Sequence, residues 1–416
     1  MSFHPLRIVL VKDGEPFPQF IAPWTLRTGN LARELARRGH DVTWYSSTFM
    51  HYEKKLFCAG DLVEERPEGY RMHLLSAGEY SKNISLKRLL HHLQFGYRLF
   101  RSLLAQQVPP DLVVCCIPTL EAAAACWLYT RRHRIPLLLD IRDPWPEVLV
   151  TYSPPKAQKV LRRLISPYFA FSARLFRQAK SLTSCSWSFL QWAQDFSGRN
   201  QAQRDHDRVF YHGAHEILGQ ISPDPIVETK GLRTLFAGSI SRGYDLEPVL
   251  SAAATLSSQP DPPHFFLAGQ GDRYDSLVAR YGSLPNVTFM GWVPRAKIYA
   301  LAQTCHVGWL PLGEGTEDYL PNKVFEYASM GLATAVPSLG EAGRLVTQQD
   351  MGFYYRDQEE LLSILSQLRP TQNPLERWKN KGLNYFREQG DAKVCSRDFA
   401  DHIEAMAMRA RPLDRT

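Results

Sequence analysis

Two short stretches combine residue types that can together hold a phosphorylated ligand. The first is Gly238-Ser239-Ile240-Ser241-Arg242-Gly243, set between a strand-like run, Leu232–Ala237, and a helix-like one, Leu246–Leu256. Small residues such as Gly238 and Ser239 let a phosphate approach backbone N–H groups, and the start of the following helix favours negative charge. Arg242 can add charge-assisted hydrogen bonds to a diphosphate. A tight turn with a surface arginine fits the same residues, since such loops are common. The second stretch is Asp318-Tyr319-Leu320-Pro321-Asn322-Lys323-Val324-Phe325-Glu326-Tyr327. Asn322 is placed to cap a helix, which puts Lys323 in its first turn. A cation there opposes the helix dipole, and a phosphate docked at the same place reverses that penalty. Glu326, one turn on, offers a carboxylate able to accept both hydroxyls of a ribose. A solvated Lys–Glu pair on an amphipathic helix has the same spacing.

Other clusters carry less. Asp205-His206-Asp207 has the D-x-D spacing of metal-dependent sugar-nucleotide sites, but it lies in the polar segment Gly198–Arg208, where a solvated loop is expected. His212-Gly213-Ala214-His215 offers two imidazoles without a third ligand, so loop histidines between domains are the simpler account. Ser184 and Ser186 lack a nucleophile-elbow context. No metal and no cofactor are expected.

The elements that must position these residues alternate along the chain. Ile8–Val11 is a continuous apolar run, as in a strand buried on both faces. Gly29–Arg38 has helical apolar spacing through Leu31, Ala32 and Leu35, and Gly39 ends it. Strands follow at Asp41–Ser46, Asp111–Cys116, Ile135–Ile141, Ser181–Ser184 and Val209–Tyr211, with a helix over Thr119–His133. The segment Ile221–Lys230, with two prolines, has the composition of an inter-domain linker. The alternation then restarts, with strands at Leu232–Ala237, Phe265–Ala268, Val287–Met290 and Val307–Leu310. Helices start near Asp272, Arg295 and Asn322, and helical patterns fill most of Gln358–Met408. Strands alternating with helices predict an α/β chain of two doubly wound, Rossmann-like domains. Ligands bind at the carboxyl ends of such strands, and two such edges can face each other across a cleft.

Bulk composition narrows the partners. The 416 residues are 44% hydrophobic and 22% charged, as in an ordinary globular protein, and the formal net charge is +7. That excess favours anionic partners. Seven cysteines without a C-x-x-C pair argue against a zinc ribbon or disulfide scaffold and fit a reducing cytoplasm. Met1–Leu10 lacks the features of a signal peptide, and no apolar run is long enough to span a bilayer. Tyr80–Pro110 and Thr151–Lys180 contain no acidic residue; they interleave basic with apolar side chains, among them Lys87, Arg88, Arg98 and Arg101, then Lys156, Lys159, Arg162 and Arg163. Such helices can lie on anionic lipid, so peripheral docking on the inner face of the plasma membrane is the expectation, although ordinary helices with one solvated face have the same pattern. No DNA- or RNA-reading module is recognisable, so nucleic acid is not expected as a partner.

Several ordered motifs resemble one family. They are F-A-G-S at 236–239, F-L-A-G-Q-G-D at 266–272, N-V-T-F-M-G-W-V-P at 286–294 and L-P-N-K-V-F-E-Y-A-S-M-G-L-A-T-A-V-P-S at 320–338. In the first half, R-T-G-N-L-A-R-E-L-A-R-R-G-H-D-V-T-W at 27–44 and L-L-L-D-I-R-D-P-W-P at 137–146 belong to the same set. Together they resemble the family-4 retaining glycosyltransferases of the GT-B fold, most closely those that build bacterial surface polysaccharides such as O-antigen or capsule. The resemblance implies an acceptor domain over 1–215, a nucleotide-sugar domain over 216–390, and a C-terminal helix, 391–416, packing back on the first. It implies a metal-independent hexosyl- or N-acetylhexosaminyltransferase that moves a sugar, with retention, from a nucleotide diphosphate, UDP first, to a lipid-linked or glycan acceptor.

It also implies roles. Of the family's E-x7-E pattern the second acid falls on Glu326, at the donor ribose. The first falls on Asp318, a shorter carboxylate in a shifted setting, which Glu317 can replace by a small change of register. Arg242 and Lys323 match the diphosphate-binding pair. Gly269–Asp272, with Gly271, and the backbone near Val293 match the wall around the base. Gly29 lies in the family's glycine-containing loop opposite the diphosphate. Arg142 or Asp143 matches the polar residue near the reacting sugar; an Asp-Pro turn before Trp145 fits the same residues. An epimerase of the same fold, and a non-catalytic partner of an active transferase, remain the alternatives.

Overall fold

The computed structural model describes residues 4–16, 26–83, 85–151, 153–216, 231–313, 315–316, 318–370 and 373–410. The expected linker 221–230 and the alternative acid Glu317 lie outside them. The chain divides into two compact units, residues 1–212 with 395–416, and residues 213–394.

In the first unit the strands are β1 (Arg7–Val11), β2 (Asp41–Ser47), a small hairpin of β3 (Phe49–Met50) and β4 (Lys55–Leu56), β5 (Leu62–Glu65), β6 (Arg71–Leu75), β7 (Leu112–Ile117), β8 (Leu137–Ile141), β9 (Ser181–Ser184) and β10 (Arg208–Val209). Its sheet runs β10-β9-β8-β7-β1-β2-β6-β5, parallel except for the β5–β6 pair. Alternate residues of the central strands serve opposite faces, as the two-residue period of a strand requires. Val9, Val11, Val113, Cys115 and Ile117 pack under the helices Leu86–Leu104 and Leu120–His133. Ile8, Leu10, Leu112 and Val114 pack under Leu31, Ala32 and Leu35 of the helix Arg27–Arg37. That second face is completed by Phe399, Ala400, Ile403, Met406 and Ala407 of the helix Ala392–Ala410.

The second unit contains β11 (Arg233–Ala237), β12 (His264–Ala268), β13 (Val287–Gly291), β14 (Val307–Trp309), β15 (Ala333–Val336) and β16 (Gly352–Tyr354). All are parallel, in the order β13-β12-β11-β14-β15-β16. Phe236, Phe265 and Leu267 face one layer of helices, and Leu235, Ala237, Phe266 and Ala268 face the other. Both units are thus doubly wound α/β sheets. In each, the direction of winding reverses beside the first strand: between β1 and β7, and between β11 and β14. In sheets of this kind ligands bind at the carboxyl edge beside such a reversal.

Candidate active site

The Gly238 loop leaves β11 at the reversal point of the second unit. Gly238 has φ +152°, a conformation open to glycine and strained for other residues. Its N–H donates to the Ala268 carbonyl at 2.9 Å, and the Ile240 N–H donates to the Gln270 carbonyl at 3.0 Å. The Gly238 loop is thereby laced to the loop leaving β12. A Cβ on Gly238 would collide with the end of the Lys323 side chain. The glycine therefore leaves room for that lysine as well as for a ligand. The amides of Ser239, Ser241, Arg242 and Gly243 find no acceptor among the described residues.

Lys323 opens the helix Lys323–Met330. The helix is held against the sheet by Tyr327, whose hydroxyl donates to the Trp309 carbonyl at 3.0 Å and accepts from the Ala237 N–H at 3.3 Å. Gly308 on β14 lets the Tyr327 ring lie against the strand, where a Cβ would overlap it. The Lys323 amine makes no hydrogen bond among the described residues and lies 5.0 Å from the Tyr244 ring centroid and 5.9 Å from that of Phe236. Loss of water lowers its pKa below the ordinary 10.5, and Glu326 opposes the shift. A desolvated cation without an anionic partner, beside unpaired amides, is an electrostatic vacancy for an anion.

Glu326 lies 3.8 Å from the Arg295 guanidinium, and its carboxylate accepts from the Asn322 amide at 3.4 Å. Asn322 does occupy the cap position, but its side chain does not cap the helix. The amide turns towards Glu326 instead, and Asn322 Oδ1 is left buried without a partner among the described residues. The structure therefore joins Gly238, Asn322, Lys323 and Glu326. Arg242 is exposed on the same loop and has no ion pair among the described residues. Its turn is fastened to the next segment, because the Gly243 carbonyl accepts from the Gly313 N–H and the Thr316 hydroxyl, both at 3.2 Å. Asp318, exposed in the turn that follows, contacts none of these side chains. Ser239 is exposed with a free hydroxyl among the described residues. Gly271 is needed by the fold itself, since a Cβ there would strike the Ile240 backbone. Val293 is half-buried, packed against the helix layer beneath β11 and β12. Its neighbour Trp292, 72% exposed, leaves the end of β13 as a free aromatic face that the sequence reading passed over.

In the first unit the carboxyl edge is held by a buried ionic network. Asp140, inside β8, receives Arg27 at 2.8 and 3.1 Å and Arg142 at 2.9 Å. Arg142 also donates to Glu15 at 2.8 Å and to the Thr28 hydroxyl at 2.8 Å. Glu15 in turn accepts from the Thr28 and Gly29 amides at 2.9 and 3.2 Å. Gly29 therefore sits buried in the first turn of the helix Arg27–Arg37, not in a loop, with its N–H already engaged. The two arginines hold the Asp140 carboxyl far below the ordinary carboxylate range against the opposing effect of burial. Arg142 is thus consumed by structure, while Asp143 beside it reaches the surface with no hydrogen bond to its carboxylate among the described residues. Crowding by neighbouring atoms raises the Asp143 pKa, against Lys12, Arg88 and Arg142. A second buried pair, Asp13 with His91 at 2.9 Å, closes the edge beside β1.

In the segment 205–207 Asp205 is exposed, as expected of a solvated loop, but Asp207 is not. Asp207 is buried, paired with Arg199 at 2.9 Å, and accepts from the Leu182 amide at 2.7 Å. A carboxylate so placed ties β9 to the segment that follows and is not available to a metal. His212 is desolvated, with its pKa lowered to about 3, so it stands neutral. Among the described residues no group of three or more His, Cys, Asp or Glu side chains could hold a metal ion, and no helix is long and apolar enough to cross a membrane.

Comparison with known proteins places this geometry. Residues 25–205 match the glycosyl transferase 4-like domain and residues 231–369 the glycosyl transferases group 1 domain. No curated protein sequence matches significantly. Among solved structures, sucrose-phosphate synthase from Thermosynechococcus elongatus is similar over 97% of this chain and 100% of its own, with a TM-score of 0.69 at 14% identity. Anabaena HepE in complex with UDP is similar over 96% and 100%, with a TM-score of 0.67 at 13% identity. WaaG, a glycosyltransferase involved in lipopolysaccharide biosynthesis, is similar over 95% and 99%, with a TM-score of 0.56 at 15% identity. With a 4-like domain in its first unit and a group 1 domain in its second, the chain belongs to the glycosyltransferases of the GT-B fold.

Proposed function

We propose that the protein transfers a sugar from a UDP-sugar to a lipid-linked or glycan acceptor, releasing UDP, with retention and without a metal, in the synthesis of a surface polysaccharide. The observation that carries the donor assignment is Lys323: a desolvated amine with no anionic contact, lying over the open face of Gly238 at the reversal point of the sheet. The diphosphate takes the unpaired amides of the Gly238 loop and the Lys323 ammonium, and the exposed Arg242 folds onto it. Glu326 accepts the ribose hydroxyls. The Gly271 loop and Val293 border the base, with Trp292 beside them. The binding of UDP by Anabaena HepE, a protein of the same fold, supports UDP as the first nucleotide to test.

The reaction breaks the bond between the anomeric carbon and the leaving phosphate oxygen and forms one to the acceptor oxygen. Charge develops on the phosphate as that bond lengthens, and fixed cations are most effective there because they need no reorganisation. The acceptor hydroxyl loses its proton to the departing phosphate on the same face, so no side-chain nucleophile is needed. Asp143 and Asp318 are assigned to the reacting sugar; both carboxylates are exposed. The test is a thermal-shift screen of nucleoside diphosphates and UDP-sugars on the native protein, Lys323→Ala and Glu326→Ala. A UDP response lost in both variants supports the site; an undiminished response in both refutes it. UDP release that depends on added acceptor separates a transferase from an epimerase or an inactive partner.

A further inference from the structure

The first unit carries an open groove of about 640 Å³ whose wall includes Leu86, Leu89, Trp145, Leu149, Leu164 and Tyr168. That volume is in the range that holds an organic ligand. Most of its exposed lining is apolar; Arg88 stands in it as the permanent cation, beside His92, which faces Glu121 at 3.5 Å. Leu164 is 75% exposed and Leu86 71%. The helix Pro155–Leu164, whose last residue lines the groove, has no buried residue. An apolar surface of this kind is left bare when something apolar covers it in use.

The charges say what covers it. Arg88 donates to the Asn83 carbonyl at 2.6 Å and to His92 at 3.3 Å, and its guanidinium lies 5.5 Å from the Trp145 ring centroid. No carboxylate pairs with it among the described residues. Lys156, Lys159 and Arg163, on the helix that ends at Leu164, are likewise exposed without an acidic partner among the described residues. An apolar trough with an uncompensated guanidinium at its wall is complementary to an amphiphile with an anionic head. Trp145, two residues beyond Asp143 in the loop that leaves β8, lines the trough.

We propose that this groove seats the hydrocarbon chain of a single lipid-phosphate acceptor, with the phosphate at Arg88 and the reacting end directed to the carboxyl edge near Asp143. The naming of this amphiphile as acceptor rests on the transferase reading; the groove and its chain do not. Each methylene withdrawn from water strengthens binding by about fourfold at most.

The test is calorimetric titration of the full chain with octyl phosphate and dodecyl phosphate, both below micelle-forming concentration, with dodecyl maltoside as the uncharged comparison. Dodecyl phosphate is expected to bind at least tenfold more tightly than octyl phosphate, on the order set by four added methylenes. Leu164→Asp, at a position 75% exposed where a polar side chain stays in water, should remove that difference. Arg88→Gln should weaken dodecyl phosphate roughly tenfold and leave dodecyl maltoside unchanged. Equal binding of the two chain lengths, or indifference to Leu164→Asp, overturns the proposal. So does binding to phosphatidylglycerol vesicles without binding of either monomer, which marks a bilayer-docking surface instead. The UDP thermal shift is read on the same samples: its absence from the native protein counts against the transferase reading, and its persistence in Leu164→Asp and Arg88→Gln keeps the two conclusions separate.

Discussion

Replacing Lys323 by methionine should leave the ligand-free protein as stable as before, or more so, while removing its response to UDP. The two effects have opposite signs because the lysine is poorly solvated and unpaired. Methionine keeps the length and apolar stem. It gives up cation–π contacts with Tyr244 and Phe236, each worth about 0.5–1 kcal/mol, and relieves the desolvation that holds the native pKa below 10.5. The net change in the apo protein should fall within about 1 kcal/mol, or about 2–4 °C in Tm for a unit of this size. Donor binding loses one charged hydrogen bond, about 1.5–3 kcal/mol, so the Kd for UDP should rise roughly 10- to 150-fold. Turnover should fall by on the order of 10²-fold or more, because the cation acts most strongly on the charge of the leaving group.

Acidity gives an independent check on sign. Below the lowered native pKa the amine is protonated in both folded and unfolded chains, and the fold carries the full penalty of burying it. As pH rises through that value towards 10.5, the folded amine loses its proton while the unfolded one keeps it, and the stability deficit disappears. The Tm advantage of Lys323→Met should therefore shrink with rising pH, and UDP affinity of the native protein should weaken over the same window. The assay is differential scanning fluorimetry with and without UDP across the alkaline range, followed by single-turnover transfer. A variant whose UDP shift and turnover stay within twofold of the native values refutes the reasoning, as does a large loss of apo stability.

Gly238→Ala should place a methyl group on the Lys323 amine at a backbone angle unsuited to alanine, at about 1–3 kcal/mol; lost UDP binding in a cooperatively folded protein is the expected reading. Asp140→Asn should lower unfolding free energy by about 3–5 kcal/mol in urea titration, because Arg27 keeps its charge in a buried place without its anion, while Arg142 is left with Glu15 alone. Asp143→Asn should instead leave Tm within about 2 °C, as surface changes do, and reduce turnover. Burial opposes but Asp13 prevails in raising the His91 pKa; the stability from this pair is full below 6.5 and is lost as pH rises through the raised native value. His91→Gln should flatten that alkaline decline, as measured by Tm against pH.

Much of the architecture is legible in the chain because parallel strands buried on both faces are continuous apolar runs. Ile8–Val11, Leu112–Ile117 and Phe265–Ala268 are of this kind. The strands passed over break that rule. Arg71–Leu75 alternates Arg71 and His73 with Met72 and Leu74, since it lies towards the sheet edge. Ala333–Val336 is small and short, and Gly352–Tyr354 is a three-residue edge strand. The candidate donor pair is legible because Lys323 and Glu326 share one helix turn. The acceptor-edge network was not, because Glu15, Arg27, Asp140 and Arg142 meet only after folding. One signal was present: an aspartate inside Leu-Leu-Leu-Asp-Ile must find cations once its strand is buried. The same logic assigns Asp207 to Arg199 rather than to a metal.

The helix at the end of the chain bears on synthesis. Phe399, Ile403 and Met406 cover the face of the first sheet that Ile8 and Leu10 present. Ribosomes deliver those side chains some 390 residues after the strand they shield. Residues 213–394, by contrast, are one uninterrupted segment with their own sheet. Translation order and maturation order therefore run opposite ways: the later-made half can finish first, and the earlier-made half waits with one oily side uncovered. Nascent chains halted before residue 395 should consequently recruit holdase chaperones through the first sheet, and release should restore solubility only when the last turns emerge.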